Sequence, residues 1–442
     1  MLKKLISILL SLTILASIFI FSASAYQISG FALNAKSAIL VSLDSGEVLF
    51  AKAQNEKMYP ASITKLLVAI LLLEKAENLD TTMITTNRSA LNAISGTGAS
   101  VIGLKEGEEL TARQALYCLL VSSGGDVAYT IAEYCAGSVD AFIDMMNQKA
   151  VQLGMASSHF GNPVGLHDDQ TYTTASDIVI LAKQALTYKE IIEVTSVPRY
   201  TVAPTNKSPS RILSTTNFLI DPNTNYYYKY AKGLKTGFTD EAGRCVVSTA
   251  SYNGYNYLCV VLGCTTKGGR NDFIDSKNLY RWAFNNFEYK SILDTTKPVA
   301  EIPVELSMST DHLQLYPESS IKSILPTLAD ESTIYIEPHL ISETVDAPIK
   351  AGDVLGTADV IYASQVIGTV NLIAKENIRA NIFLRIGRGI KKFFSSTAFK
   401  IILSLIIAAV VIYILIVIKL NASTKKRRKV KFVPYDKHGK NR

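Results

Sequence analysis

The stretch Met58–Leu66, which reads MYPASITKL, places Ser62 three residues before Lys65 at the start of an aliphatic segment. Ile63–Lys75 is almost entirely aliphatic, and this pattern predicts a helix that is buried on most of its faces. Residues three positions apart on a helix are neighbours, so both side chains are expected to project from one face of the first turn. The stretch therefore brings a hydroxyl and an amine together at the start of a core helix.

A serine at a helix N-terminus can serve as a nucleophile, because its own N–H and the helix dipole stabilise an oxyanion formed beside it. Lys65 can take the serine proton only when it is neutral. A free lysine, with a pKa of about 10.4, is neutral in roughly one molecule in a few thousand at pH 7. The chemistry therefore requires that burial and a nearby second cation lower the lysine pKa by roughly three units. The same Ser-x-x-Lys spacing recurs at Ser319–Lys322 and Ser423–Lys426, so the spacing alone is not specific.

The candidate second cation is Lys235, which begins the tripeptide Lys235-Thr236-Gly237. The apolar hairpin that follows predicts that this tripeptide lies on a strand at or near the active edge of a sheet. Gly237 leaves room for a ligand backbone to approach, while Lys235 and Thr236 can hold a carboxylate. Taken alone, the tripeptide is more commonly explained by a solvated strand lysine.

The combination and order of motifs are more specific than any one of them. Ser-x-x-Lys, then a serine turn at Ser122–Gly125, then Lys-Thr-Gly is the signature set of β-lactamases and penicillin-binding proteins. The chain resembles the low-molecular-mass penicillin-binding proteins, the serine-type D-alanyl-D-alanine carboxypeptidases, over roughly residues 35–380. The motif flanks that carry this resemblance are Ser42–Leu66, Gly161–Ile178 and Gly233–Ser251.

The resemblance implies a serine penicillin-binding/β-lactamase-like transpeptidase fold and a role for each motif residue. Ser62 would be the acylated nucleophile, Lys65 its base, and Ser123 the relay that passes the proton to the leaving D-alanine. The implied substrate-binding residues are Lys235, Thr236, Gly237, Phe238 and Arg270. Lys235 and Thr236 would bind the terminal carboxylate, and the backbone N–H groups of Ser62 and Phe238 would form the oxyanion hole. Arg270 either helps to hold the same carboxylate or is a surface arginine.

Two positions depart from the family pattern. The second motif is usually Ser-x-Asn, but its third residue here is Gly125, which has no side-chain amide to bind Lys65 or the substrate. Asp126 is a candidate to take over part of the role of the missing asparagine, although its carboxylate carries a charge that an amide lacks. Phe238 stands where a histidine often follows the third motif, although only its backbone is needed for the oxyanion.

The implied activity is removal of the terminal D-alanine from peptidoglycan pentapeptide stems, which limits cross-linking. β-Lactams would acylate the same serine, because they imitate the D-Ala-D-Ala end. Gly125 leaves open a catalytically weak binding protein for β-lactams or peptidoglycan. A β-lactamase is a further alternative, but the β-rich region and the membrane segment described below argue against it, and the extra glutamate that drives deacylation in the common class has no clear candidate.

Outside the motifs, the sequence predicts an α/β (α+β) domain followed by a small all-β domain. Ser37–Ala51 is a hairpin around a Gly-ending turn, and Asn253-Gly254 is the turn of a second hairpin. One helix is predicted to begin at the capping box of Thr111, and two more are predicted over Ala175–Leu186 and Asn271–Phe287. Strands and helices together indicate a mixed or antiparallel sheet covered by helices. Short β-rich runs from about Ser291 predict the all-β domain.

Both ends of the chain indicate export and a membrane. Two N-terminal lysines, an apolar run over Leu5–Phe21 and Ala23-Ser24-Ala25 predict a cleaved signal peptide, with an uncleaved anchor as the alternative. Ile401–Ile418 carries no charge over the length that crosses a bilayer. A basic block follows it, so the positive-inside rule predicts a short cytoplasmic tail and an extracytoplasmic catalytic domain.

The predicted organisation therefore has six segments: 1–25 signal peptide, 26–290 penicillin-binding DD-peptidase domain, 291–380 small all-β domain, 381–400 basic linker, 401–418 transmembrane helix and 419–442 basic cytoplasmic tail. The formal net charge of +7 is concentrated in that tail, so the exported part is slightly acidic and a nucleic-acid partner is not expected. The five cysteines lack metal-ligand spacing and are expected to be small buried residues. Neither a metal nor another cofactor is implied, and the expected partners are stem peptides, inhibitory β-lactams and the plasma membrane.

Overall fold

A computed structural model describes residues 31–329, 333–362 and 365–427. The predicted signal peptide and residues 428–442 of the predicted tail lie outside these residues. The described chain forms two compact units, one of residues up to Tyr289 with Ile324–Ala329 and one of Lys290–Ser323 with the residues that follow Ala329.

The first unit combines helices with an antiparallel sheet. Its helices are α1 (Lys65–Lys75), α2 (Arg88–Ile94), α3 (Ala112–Leu120), α4 (Gly125–Ala136), α5 (Val139–Leu153), α6 (Ala175–Ala185), α7 (Lys189–Ser196) and α8 (Asn271–Asn286), and a 3-10 turn at Ala61–Thr64 precedes α1. Its strands are β1 (Ser37–Ser42), β2 (Val48–Lys52), β3 (Met83–Thr85), β4 (Glu109–Thr111), β5 (Arg199–Val202), β6 (Arg211–Ser214), β7 (Ala231–Thr239), β8 (Gly243–Tyr252) and β9 (Tyr255–Cys264). The strand β10 (Phe287–Ser291) leads out of this unit.

The central sheet has the order β2-β1-β9-β8-β7, and β7 forms one of its edges. Both predicted hairpins are present, since β1 pairs with β2 and β8 pairs with β9 in antiparallel register. Successive residues of β9 face opposite sides of the sheet, as strand geometry requires. Leu258 and Val260 belong to the core that contains α1, whereas Tyr257 and Cys259 belong to the core that contains α8. Both faces are buried, which explains why β9 is a continuous apolar run rather than an alternating one.

The helix that carries the first motif is buried in the core, as its sequence predicts. All residues from Lys65 to Leu72 of α1 are buried, and Lys65 is the charged member of this run. The predicted capping box at the start of α3 is present: Gln114 N donates to Thr111 Oγ1, and Thr111 N donates to Gln114 Oε1. The helix α3 ends at Leu120 and α4 begins at Gly125, so Ser123 lies in the tight connection between them.

The second unit is built on a sheet with the order β14-β16-β17-β12-β11-β15. Its elements are β11 (Ala300–Glu305), β12 (His312–Pro317), β13 (Lys322–Pro326), β14 (Ile334–Leu340), β15 (Val345–Asp346), β16 (Val354–Tyr362), β17 (Gln365–Ala374), α9 (Ile382–Ser395) and α10 (Thr397–Arg427), with the end of β13 counted in the first unit. The predicted fold class, an α/β domain with an all-β C-terminal domain, is thereby confirmed.

The segment interpreted as a basic linker is mostly helical. The helix α9 has exposed apolar side chains such as Phe383, Ile386 and Ile390. Arg388 of α9 forms ion pairs with Glu305 and Asp346 of the β-sheet. The following helix contains one stretch, Thr397–Asn421, that is long and apolar enough to cross a membrane, and it extends beyond the predicted 401–418 at both ends.

The five cysteines are free and buried, as expected. Burial raises the pKa of the Cys118 and Cys245 thiols to about 12. They therefore behave as small core residues rather than as reactive thiols.

Candidate active site

Ser62 lies on the 3-10 turn that precedes α1, and Lys65 is the first residue of that helix. The Lys65 Nζ atom lies 2.9 Å from Ser62 Oγ and 2.9 Å from the carbonyl oxygen of Val164. Lys65 is 2% exposed, whereas Ser62 is half-buried and lines a cleft of about 810 Å³. A buried amine within hydrogen-bond distance of an accessible hydroxyl is the arrangement that an activated serine requires.

The second and third motifs meet at the same cleft. Lys235, on the edge strand β7, donates from Nζ to Ser123 Oγ at 3.0 Å and to the carbonyl oxygen of Thr236 at 2.9 Å. Lys235 is 1% exposed, and Ser123 is also buried. Four polar side chains from three separate parts of the sequence, Ser62, Lys65, Ser123 and Lys235, therefore form two adjoining hydroxyl–amine pairs.

Burial dominates the proton affinity of both lysines. It lowers the pKa of Lys65 to about 7, and the negative charge of Asp126 raises that pKa in part. Burial also lowers the pKa of Lys235 well below its ordinary value, and the neighbouring Lys65 lowers it further. The sequence predicted burial and a second cation as joint causes of a lowered Lys65 pKa; burial is the largest cause at both lysines, and their mutual repulsion disfavours charging both at once.

The backbone is in the left-handed region at a residue in or beside each motif. Ala61 precedes Ser62 and has φ +47°, Ser123 itself has φ +60°, and Leu234 precedes Lys235 and has φ +77°. Such conformations cost non-glycine residues roughly 1–3 kcal/mol each and persist only where the surrounding packing fixes them. The packing of the first unit therefore holds the three motifs in one geometry.

The absence of a side chain at Gly237 has a structural consequence beyond the one predicted. A Cβ atom at this position would lie 2.9 Å from Ala61 Cβ and 3.0 Å from both Pro60 O and Ser62 N. The missing side chain thus makes room for the turn that carries Ser62, while Gly237 also lines the cleft. It lets the edge strand β7 and the turn that carries Ser62 approach closely.

The remaining predicted residues also line the cleft. Thr236 Oγ1 lies 2.6 Å from Thr216 Oγ1, and the Phe238 side chain is 46% exposed. Arg270 borders the cleft as well, where Asp272 binds its guanidinium through Nε at 3.0 Å and Nη2 at 2.6 Å. Asp272 therefore fixes the orientation of the Arg270 guanidinium and partly neutralises its charge, so Arg270 is not a free surface arginine.

Several cleft residues were not found from the sequence: Thr97, Gly98, Ala99, Ser100, His167, Thr216, Asp240, Glu241 and Arg244. Thr216 could not be recognised, because its contact with Thr236 depends on the path of the chain between β6 and β7. The residues around Thr97 could not be recognised either, because their neighbours in space depend on the fold.

Asp126 does not replace the missing amide in the cleft. Its carboxylate is buried and accepts hydrogen bonds from the backbone N–H groups of Ile102, Gly103 and Leu104. Gly125 itself donates its N–H to the carbonyl oxygen of Ser100 at 2.7 Å. Asp126 therefore faces the loop that precedes it rather than the substrate space.

Known proteins are similar to this chain over most of its length. The profile of the D-alanyl-D-alanine carboxypeptidase family matches residues 22–266, and that of the penicillin-binding protein 5 C-terminal domain matches residues 287–380. D-alanyl-D-alanine carboxypeptidase DacF of Bacillus subtilis is 31% identical over 356 residues, which cover 80% of this chain and 89% of the relative. DacA of Escherichia coli K12, with the same enzyme name, is 28% identical over 82% of this chain and 88% of its own length.

The fold is also found among solved structures. Penicillin binding protein 5 from Haemophilus influenzae matches with a TM-score of 0.62 and 24% identity, over 80% of this chain and 100% of that one. The chain belongs to the D-alanyl-D-alanine carboxypeptidase family of serine hydrolases.

Proposed function

We propose that Ser62 is the acylated nucleophile of a D-alanyl-D-alanine carboxypeptidase that acts on peptidoglycan stem peptides. The observation that carries the proposal is the 2.9 Å distance from Ser62 Oγ to the Nζ atom of the buried Lys65. Near pH 7 a large fraction of Lys65 is neutral, because burial lowers its pKa to about 7. A neutral amine at this distance can accept the hydroxyl proton as the oxygen attacks.

The first half-reaction forms an ester and releases D-alanine. Ser62 Oγ attacks the carbonyl carbon of the penultimate D-alanine, and the hydroxyl proton moves to Lys65 Nζ. The backbone N–H groups of Ser62 and Phe238 stabilise the oxyanion. When the peptide C–N bond breaks, the leaving amine receives a proton through Ser123. Water then hydrolyses the ester, with the same groups returning the proton to Ser62.

The edge strand β7 provides the binding surface for the substrate. A peptide can pair with the free edge of a strand, so that main-chain hydrogen bonds give affinity. The terminal carboxylate is held by Lys235 and Thr236, and the Arg270 guanidinium adds positive charge at the same end of the cleft. Binding of that carboxylate favours the charged form of Lys235, which in turn favours neutral Lys65.

The C-terminal helices indicate where the protein lies in the cell. The helix α10 spans the plasma membrane once, with the catalytic domain outside and the basic tail in the cytoplasm, because basic residues follow its apolar stretch. The exposed apolar side chains of α9 lie at the outer surface of the same membrane. Removal of terminal D-alanine there limits cross-linking of the wall.

Gly125 favours a second candidate, a penicillin-binding protein with weak turnover, because this position lacks the amide that relatives usually provide. The two candidates make the same acyl-enzyme and differ in its hydrolysis. They are therefore separable only by measuring product release alongside labelling.

The test uses the full-length protein in detergent with a fluorescent penicillin and, separately, with a pentapeptide ending in D-Ala-D-Ala. We expect labelling and D-alanine release, both lost in Ser62→Ala. Ser319→Ala is the matched control, since Ser319 begins another Ser-x-x-Lys sequence, and it should behave as wild type. Labelling without release supports the weak binder, rapid turnover of penicillin supports a β-lactamase, and labelling of Ser62→Ala overturns the assignment of the nucleophile.

A further inference from the structure

The carboxylate of Asp126 binds three successive backbone N–H groups. Oδ2 accepts from Ile102 at 3.0 Å, from Gly103 at 2.9 Å and from Leu104 at 3.0 Å. Oδ1 accepts from Ile102 at 3.0 Å and from Val127 at 3.0 Å. Asp126 is 1% exposed. A buried carboxylate that satisfies several donors at once is costly to remove, because its partners would be left unpaired.

The segment that Asp126 holds continues directly into the wall of the cleft. Thr97, Gly98, Ala99 and Ser100 line the cleft beside Ser123. One residue, Val101, separates them from the three residues whose N–H groups Asp126 binds. The wall segment, residues 97–104, is therefore attached to the first turn of α4 at Ile102–Leu104 and reaches the substrate space at Thr97–Ser100.

The wall segment also fills the space beside the two glycines of the second motif. A Cβ atom at Gly125 would lie 3.0 Å from the carbonyl oxygen of Ser100 and 2.9 Å from Ile94 Cδ1. A Cβ atom at Gly124 would lie 2.6 Å from Ile102 Cγ1. Distances this short require the neighbouring atoms to move. A side chain at position 125 would therefore require both the carbonyl of Ser100 and the end of the Ile94 side chain to shift.

We propose that Asp126 is a positioning residue: it fixes the wall segment against Gly124 and Gly125, so that backbone of residues 97–100, instead of a side chain at position 125, borders the substrate. The inference rests on the proposed function of Ser62, because the cleft is interpreted as the substrate site. Asp126 contacts neither Ser62 nor the substrate space, so it acts only through the segment that it holds and through its charge.

That charge provides a readout that a merely structural residue would not give. Asp126 raises the pKa of Lys65, and the neighbouring titratable amine is that of Lys235, whose own pKa Lys65 lowers. On its other sides Asp126 faces Arg211 of β6 and Cys118 of α3. Replacing the carboxylate with an amide removes the negative charge, and the pKa of Lys65 should fall further.

The first experiment compares Asp126→Asn with wild type and with Asp177→Asn. Asp177 is a matched control, since it is also buried and accepts from Ser157 N at 2.9 Å and Ser158 Oγ at 2.7 Å. Acylation by a fluorescent penicillin is measured from pH 5 to 9, and KM for the pentapeptide is measured at pH 8. In Asp126→Asn we expect the midpoint of the acidic limb to move to lower pH and KM to rise at least threefold. Asp177→Asn should keep both values.

An unchanged midpoint and KM in Asp126→Asn would overturn the proposal, as would equal changes in Asp177→Asn. If Asp126→Asn does not fold, Gly125→Ala decides, because its Cβ would lie 3.0 Å from the carbonyl oxygen of Ser100 and would press on the wall segment while the carboxylate stays. This variant should raise KM at least threefold without moving the pH midpoint, and an unchanged KM contradicts the proposal.

A measurement that does not depend on acylation tests the positioning role if the proposed function fails. If wild type is not acylated at Ser62, amide hydrogen exchange of Ile102, Gly103 and Leu104 replaces the kinetic readout. Exchange at these amides should be faster in Gly125→Ala than in wild type, and equal exchange would overturn the positioning role.

Discussion

The Nζ atom of Lys65 lies 2.9 Å from Ser62 Oγ at the start of a helix whose first two turns are entirely buried. The protein thus places an ionisable amine inside its core and lowers its proton affinity by burial. This placement costs folding free energy, because the unfolded chain keeps the amine charged.

The rate of acylation should depend on pH through Lys65. The pKa of Lys65 is lowered to about 7, and only the neutral amine can act as base, so the rate should rise with pH and level off above the midpoint. Stopped-flow acylation by a fluorescent penicillin between pH 5 and 9 measures this midpoint. A rate that is constant across that range would exclude Lys65 as the titrating base.

Lys65→Met should stabilise the folded protein while abolishing acylation. Between pH 7 and the ordinary lysine pKa of 10.5, the unfolded state binds the proton that the folded state has lost, so wild-type stability rises with pH. At pH 7 the gain in free energy of unfolding should be about 4 kcal/mol, from roughly 1.4 kcal/mol per unit of pKa.

The gain in free energy of unfolding of Lys65→Met over wild type should shrink towards pH 10, as measured by urea denaturation. The control is Lys183→Met, which removes an exposed lysine of α6 and should show no pH-dependent gain. A gain in Lys65→Met that does not depend on pH would contradict the assigned cause.

Gly237→Ala should lower acylation about a hundredfold. Its Cβ would lie 2.9 Å from Ala61 Cβ and 3.0 Å from Ser62 N, so the strand or the nucleophile turn must move. Overpacking of this kind costs roughly 1–3 kcal/mol of stability. Acylation kinetics and thermal unfolding measure the two effects. Gly387→Ala, where a Cβ atom meets nothing within 4 Å, is the control: it should leave acylation unchanged and should not lower stability.

Glu108→Gln should destabilise the first unit by about 3–5 kcal/mol at pH 7, because it leaves Arg211 without its buried partner. Burial alone would raise the pKa of Glu108, but hydrogen bonds from Arg211, Thr205 and Lys105 lower it to about 2. A lowered carboxyl pKa gives stability that is complete above about 4.5 and is lost as the pH falls towards 2.

The difference in free energy of unfolding between wild type and Glu108→Gln, measured by urea denaturation, should therefore decrease below pH 4.5. Asp80→Asn provides the comparison: Asp80 pairs with Arg113 at the surface, and its loss should cost much less than the loss of Glu108, as is usual for an exposed pair. Equal costs for both substitutions would show that burial does not strengthen the Glu108 pair.

Much of the fold was predictable because it depends on local patterns. The hairpin turns near Gly46 and Gly254 and the capping box at Thr111 are encoded by residues a few positions apart. Ser62, Lys65, Ser123 and Lys235 were found because each stands in a short motif, and the structure brings all four together.

The rest of the site depends on contacts between distant parts of the chain. The close approach of Gly237 to Ala61 and the orientation of Asp126 towards Ile102 follow from how the helices pack on the sheet. Sequence spacing contains no information about either. The same is true of the pairing of Thr216 with Thr236.

The most direct test of the central claim is mass spectrometry of the full-length protein after incubation with benzylpenicillin. We predict one covalent adduct, located by proteolysis on the peptide that contains Ser62 and absent from Ser62→Ala. An adduct on another residue, or an equal adduct in Ser62→Ala, would contradict the assignment of Ser62 as the nucleophile.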